Sequence, residues 1–251
     1  MAKTIPKTSD KLRKLDAAVI ATRPTRRYRA AAFQAYVLFA SVGFVVLAVV
    51  ARTVPYFSID LTVTHAVQSY HGTLFDRLMF AISWIGFLPQ SLIFGLVPSV
   101  LLFFTGLRWE AMVALFAAGA AGMATLVKLV VHRPRPSIDL VHVFRELPQS
   151  GFPSGHVLTF TALSGFFAFL AHTLLKSSWG RTVLIAAFPV LAVMMGLSRI
   201  YQGQHWFSDV MGAYLLGSLW LALTIGVYRW GKPRFFSHQP VAPEAPVAQT
   251  N

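Results

Sequence analysis

The stretch AAFQAYVLFASVGFVVLAVV, residues 31–50, decides the fold class. It holds no charge over 20 residues, and about 20 apolar residues in a helix cross the hydrocarbon core of a bilayer. Segment 1–30 before it is polar, has weak apolar periodicity and carries nine Lys and Arg. A cleaved signal has a shorter apolar run and a shorter basic leader, so a retained transmembrane helix is predicted. Residues 1–30 are then a flexible basic cytoplasmic arm lying near anionic lipid.

The rest of the chain extends this reading. Hydrophobic residues make up 55% and charged residues 12%, where a soluble domain carries about a quarter charged. A disordered chain is excluded, and a bilayer protein is the natural class. Cysteine is absent, which excludes disulfides, thiolate metal sites and cysteine nucleophiles. Residues 54–77 mix His, Asp and Arg with aromatics, as suits short interfacial helices. Residues 78–107 hold no charge, and Pro89 divides an interfacial piece from a second span over 90–107. Further spans are predicted over 109–131, 154–175, 182–198 and 207–228, with a proline-rich polar loop over 132–153. The fold class is therefore all-α. It is a polytopic membrane bundle of six transmembrane helices, with interfacial helices between the first two spans. The bundle occupies 31–229, and 230–251 is a basic, then Pro/Ala-rich cytoplasmic tail.

The formal net charge is +13. With both termini inside, fifteen of the 22 Lys and Arg fall in cytoplasmic segments, which matches the positive-inside rule. Most of the basic excess is thus a topology signal, and no nucleic-acid partner is needed to explain it. The bilayer is the partner this charge implies; oligomeric state is left open.

Three clusters fall at the outer ends of the later spans. The first runs Lys128-Leu-Val-Val-His-Arg-Pro-Arg135-Pro136. An ammonium near the end of an apolar helix is costly unless it meets polar surroundings or an anion. Pro-Arg-Pro stops the helix and stiffens the chain that aims Arg135. The second is Pro153-Ser154-Gly155-His156, a turn into a helix with Ser154 as N-cap and free N–H groups suited to phosphate. The third is Ser198-Arg199, then His205 and Asp209. Four residues apart on a helix, the last two share a face, so the carboxylate fixes the imidazole tautomer and leaves the other nitrogen as nucleophile or base. Each cluster alone has an ordinary reading: snorkelling cations, a helix start, a helix-start pair. Together they make a phosphoryl-transfer constellation. Asp60, Asp76, Asp139, Glu146 and Asp209 are scattered, so no metal site is predicted. Arg133 contacts a second phosphate or a headgroup, or faces solvent, with solvent preferred.

In this order and spacing the clusters resemble the signature of the type 2 phosphatidic acid phosphatase (PAP2) superfamily, K-x6-R-P, P-S-G-H and S-R-x5-H-x3-D. No element departs from it. The resemblance implies that His205 attacks phosphorus and becomes a phosphohistidine, that Asp209 orients it, and that His156 protonates the leaving oxygen and then activates water. It implies that Lys128, Arg135, Ser154, Gly155 and Arg199 bind the phosphate, with no metal or other cofactor. The expected activity is hydrolysis of a lipid phosphate or diphosphate at the outer face of a bacterial cell membrane. Polyprenyl diphosphate is favoured over phosphatidylglycerophosphate or phosphatidic acid. A phosphotransferase with the same site is the first alternative. An anion transporter is the second and weaker one, since no paired, interrupted halves are visible.

Overall fold

The computed structural model describes residues 8–235 except His71, Leu88 and Gln149, with side chains from Arg27 onwards. Residues 1–7 of the expected arm, 236–251 of the expected tail, and His71 and His238 lie outside the described residues. Within them the chain is helical, without strands: α1 (Thr8–Thr53), α2 (Ser58–Gln68), α3 (Thr73–Ile85), α4 (Gln90–Phe104), α5 (Arg108–Ala118), α6 (Ala120–Val131), α7 (Gly155–Leu174), α8 (Trp179–Tyr201) and α9 (Phe207–Phe235). Five stretches are long and apolar enough to span a membrane: 27–53, 108–131, 155–174, 179–201 and 207–235. The pair α3 and α4, bent by 62° at its junction, makes the sixth if counted as one span.

The elements differ from the sequence reading in three ways. The basic segment read as a flexible arm is helical from Thr8 and continuous with the first span. The break at Gly86 and Pro89 falls where expected, but α4 has only 15 residues, so the second span is long enough only together with α3 and is not straight. The fifth and sixth spans run on, to Tyr201 and Phe235. Arg199 consequently lies in the last turn of α8 rather than in a loop.

Helix α7 is the central post and packs most extensively against α8 and α9. Met79, Leu158, Phe160, Met195 and Val210 are buried together on the side toward the α7 N-terminus. Val113, Leu163, Phe166, Leu170 and Tyr228 fill the core toward its C-terminus. Buried Glu110 at the start of α5 accepts from Lys232 at 2.6 Å and Tyr228 at 3.0 Å, tying α5 to the end of α9.

The opposite end carries the three clusters. There α6 stops at Val131, and His132 takes a left-handed conformation, φ 52°, that turns the chain outward. The following loop is clamped from α2. Gln68 Nε2 donates to the carbonyls of His142 at 2.7 Å and Tyr201 at 2.9 Å, and its Oε1 accepts from the His142 N–H at 3.1 Å. After α8 the chain reverses at Gly203, φ +61°, where a Cβ would lie 2.1 Å from the His142 carbonyl oxygen. Only glycine fits that turn, and the turn delivers His205.

Candidate active site

Four helix ends bring the residues together. Lys128 stands half-buried in the last turn of α6. Ser154 and Gly155 open α7, with His156 in its first turn. Arg199 closes α8, and Asp209 lies in the first turn of α9. His205 lies in the short α8–α9 turn and Arg135 in the loop after α6. His205, Asp209, Ser154 and Arg199 are buried.

The imidazole of His205 has a defined tautomer. Arg135 Nη1 stands 3.2 Å from His205 Nε2 and donates to the Gln204 carbonyl at 2.6 Å. A guanidinium has no lone pair to offer, so Nε2 must accept and Nδ1 must carry the proton. Nδ1 faces Asp209 Oδ2 at 3.5 Å. That is longer than a good hydrogen bond, and Nδ1 has no hydrogen-bond partner. Burial pushes the His205 pKa well below the ordinary histidine range, and the charges of Arg135, Arg199 and Lys128, with His156, push the same way. Both effects favour the neutral imidazole, with its Nε2 lone pair toward Arg135.

Arg199 is held from one side only. Its Nη1 donates to Ser83 Oγ at 2.7 Å, and its guanidinium lies over the Phe87 ring at 5.0 Å. Its Nε and Nη2 are buried without partners, as are Ser154 Oγ and His156 Nε2. The Nε/Nη2 edge of a guanidinium is the fork that can grip two oxygens of a phosphate. Ser154 occupies the N-cap position of α7, yet its hydroxyl makes no capping bond. It and the first N–H groups of that helix are available to an anion.

Several site residues were not read from the sequence. Arg133, expected to face solvent, is fully buried. It bridges Asp60 Oδ2 at 2.9 Å and Asp209 Oδ1 at 2.7 Å and donates to the Pro55 carbonyl at 3.1 Å. A buried guanidinium needs such partners, and α2 supplies one from far away in the chain. Asp60, read as one of several scattered acids, thus shares a cation with Asp209. Ser83, Gln202 and Gln204 form a polar chain behind Arg199: Ser83 Oγ and Gln204 Nε2 each donate to Gln202 Oε1 at 3.0 Å. A lone serine in an apolar helix gives no sequence signal for this. Arg133 gives a weak one, through the alternation Arg-Pro-Arg-Pro.

The α3–α4 junction closes on His156. The Phe87 ring meets the His156 imidazole edge-on at 5.1 Å, and a Cβ on Gly86 would fall 2.2 Å from His156 Cδ2. Gly86→Ala must therefore displace the imidazole. Turnover is expected to fall about 10–100-fold with folding intact, since misplacing a reacting group by about 1 Å costs on that order. Activity and melting temperature of the purified variant check this. Wild-type turnover would show that His156 does not need its place. Beside this junction an open groove of about 510 Å³ is lined by Phe80, Trp84, Phe87, Phe144, Arg145 and Gln204.

Fold and site together define a membrane-embedded enzyme of phosphoryl transfer. The PAP2 superfamily model matches residues 109–233. Phosphatidylglycerophosphatase B of Bacillus subtilis (strain 168) is 29% identical over 191 residues, 73% of this chain and 90% of that protein. Sphingosine-1-phosphate phosphatase 2 of Mus musculus is 30% identical over 101 residues, 39% of this chain but 28% of that protein. The crystal structure of a transmembrane PAP2-type phosphatidylglycerolphosphate phosphatase from Bacillus subtilis superposes with a TM-score of 0.65 at 21% identity, covering 78% of this chain and 99% of that one. The chain belongs to the PAP2 superfamily, in its membrane lipid-phosphatase branch.

Proposed function

We propose that the chain hydrolyses lipid phosphates through a phosphohistidine on His205, without a metal. The observation that carries this is a buried imidazole whose Nε2 lies 3.2 Å from Arg135 Nη1, in a site where Arg199 Nε and Nη2 and the Ser154 hydroxyl are buried without partners. An arriving phosphate draws Arg135 onto its oxygens and frees the Nε2 lone pair. Nε2 then attacks phosphorus, the bond from phosphorus to the lipid oxygen breaks, and His156 gives that oxygen its proton. Asp209 faces the imidazole while it is cationic. In the second step His156 takes a proton from water, the hydroxide bonds to phosphorus, and the P–N bond breaks to return neutral His205 and inorganic phosphate. Lys128, Arg135 and Arg199 hold the equatorial oxygens throughout, with Ser154 and the Gly155 N–H.

The site is read as lying on the outer face of a bacterial cell membrane, with both termini cytoplasmic. The asymmetry of Lys and Arg supports that orientation. Segment 1–30 is then the cytoplasmic arm, 31–229 the catalytic bundle and 230–251 the tail. Among candidate substrates the preference moves from polyprenyl diphosphate to phosphatidylglycerophosphate. The relative matched over 90% of its length carries the latter activity in its name, and Arg133, engaged with two carboxylates, is not free for a second phosphate. The donor set supports a metal-free route, since among the described residues no three His, Asp or Glu gather as ligands.

Phosphate release from phosphatidylglycerophosphate, phosphatidic acid and a polyprenyl diphosphate, each in detergent with and without chelator, tests this. The highest kcat/KM is expected for phosphatidylglycerophosphate, unchanged by chelator and blocked by vanadate. Loss of activity in chelator with recovery on adding a divalent ion would overturn the metal-free route. A higher kcat/KM for the diphosphate would overturn the substrate assignment.

A further inference from the structure

The site has a second layer outside the family signature. Asp60 lies on α2, beyond the matched residues 109–233, and is separated from Asp209 by most of the bundle's sequence. We propose that Asp60 is a positioning residue for the reaction, acting through Arg133 to hold Asp209 against His205 and to keep one net negative charge behind the imidazole. The proposal rests on the phosphohistidine reading above.

The geometry is over-determined. Asp60 Oδ1 accepts the Ser208 N–H at 2.7 Å. Its Oδ2 accepts from Ser208 Oγ at 2.8 Å, from Arg133 Nη2 at 2.9 Å and from the Phe57 N–H at 2.9 Å. Asp60 thereby pins the residue just before Asp209 by both its backbone and its side chain. Arg133 Nη1 completes the frame, donating at 2.7 Å both to Ser208 Oγ and to Asp209 Oδ1. The other Asp209 oxygen is left to the Trp206 N–H at 3.0 Å and to the face of His205. The planar fork of Arg133 spans the two carboxylates, and a lysine would not.

The charge count gives this frame a catalytic consequence. Two carboxylates and one guanidinium, all at 0% exposure, give the frame itself one net negative charge in a buried setting, offset in part by the attraction of Asp209 for Lys128 and Arg135. A buried charge without a close partner of its own is costly. The imidazole beside it is neutral at rest and becomes cationic when Nε2 bonds to phosphorus. The frame is therefore better paired in the transition state than in the resting enzyme, which is the condition for raising kcat rather than merely tightening binding. The interfacial helices thus help build the nucleophile's environment, beyond covering the bundle's end.

The test is a mutant cycle on the purified protein in detergent with one lipid phosphate, reading kcat, KM and melting temperature for wild type, Asp60→Asn, Asp209→Asn and the double variant. Asp60→Asn is expected to lose about 10–100-fold in kcat, as partners behind functional imidazoles do, with KM within about twofold of wild type. In the Asp209→Asn background the same change should cost less than about threefold, since its target is already neutral. Wild-type kcat in folded Asp60→Asn, a loss confined to KM, or an undiminished penalty in the Asp209→Asn background would each overturn the proposal. If Asp60→Asn does not fold, Arg133→Lys carries the test: charge kept and fork lost should lower kcat at constant KM, and unchanged kcat overturns it. His205→Ala is run alongside. Activity surviving in that variant removes the phosphohistidine reading itself, a result distinct from a normal Asp60→Asn enzyme.

Discussion

Replacing His205 with alanine lowers turnover at least about 10⁴-fold, the scale seen when an enzyme loses its nucleophile, while the protein folds and still binds a lipid phosphate. The expectation follows from position. Nε2 of His205 accepts from Arg135 at 3.2 Å. His156, by contrast, packs edge-on against Phe87 at 5.1 Å, in the first turn of α7. Brief exposure of wild-type enzyme to labelled substrate, followed by an alkaline quench, should leave acid-labile label on the protein. That label should be absent from His205→Ala. It should accumulate in His156→Ala given a substrate whose leaving group needs no proton, because the second step then lacks its base. Label persisting in His205→Ala would place the nucleophile elsewhere.

Arg133→Met is expected to act on stability. The substitution leaves Asp60 and Asp209, both at 0% exposure, facing one another without a cation. Removing one partner of a buried charge network costs about 3–5 kcal/mol. The variant should unfold well below wild type in a thermal melt in detergent. Arg135→Met offers the contrast. Arg135 donates to a carbonyl, stands 3.2 Å from an imidazole and meets buried Asp209 through longer-range charge attraction without a salt bridge, so its loss should reduce activity with less change in melting temperature than that of Arg133. Equal melting temperatures for Arg133→Met and wild type would mean that the two carboxylates do not depend on the guanidinium.

The bundle was legible because its signals are local. Uncharged runs such as 31–50 are set by bilayer thickness, and the stop after Val131 is set by the sterics of the prolines that follow it. The residues of the candidate site were legible for a similar reason: their spacing within each cluster, and the order of the clusters, survive in one dimension. The break at Pro89 was legible from the proline itself; the angle across it and the continuous Thr8–Thr53 helix were not. Local signals do not give the angle at which two helices join, nor whether a basic leader continues the helix that follows it.

Residues 31–50 and the three motifs alone dictated a helical membrane protein and named the imidazole, the carboxylate and the cations that meet at one end of it. They were silent on Ser83, Phe87 and Asp60. Those side chains reach the site from α2, α3 and the junction after α3, more than 100 positions away from Arg199 and Asp209 in the chain. Arg133 was misjudged for the same reason. Whether a cation beside a motif meets water or two buried carboxylates depends on which distant helix folds over it, and that is a property of packing in three dimensions, with no counterpart in residue spacing.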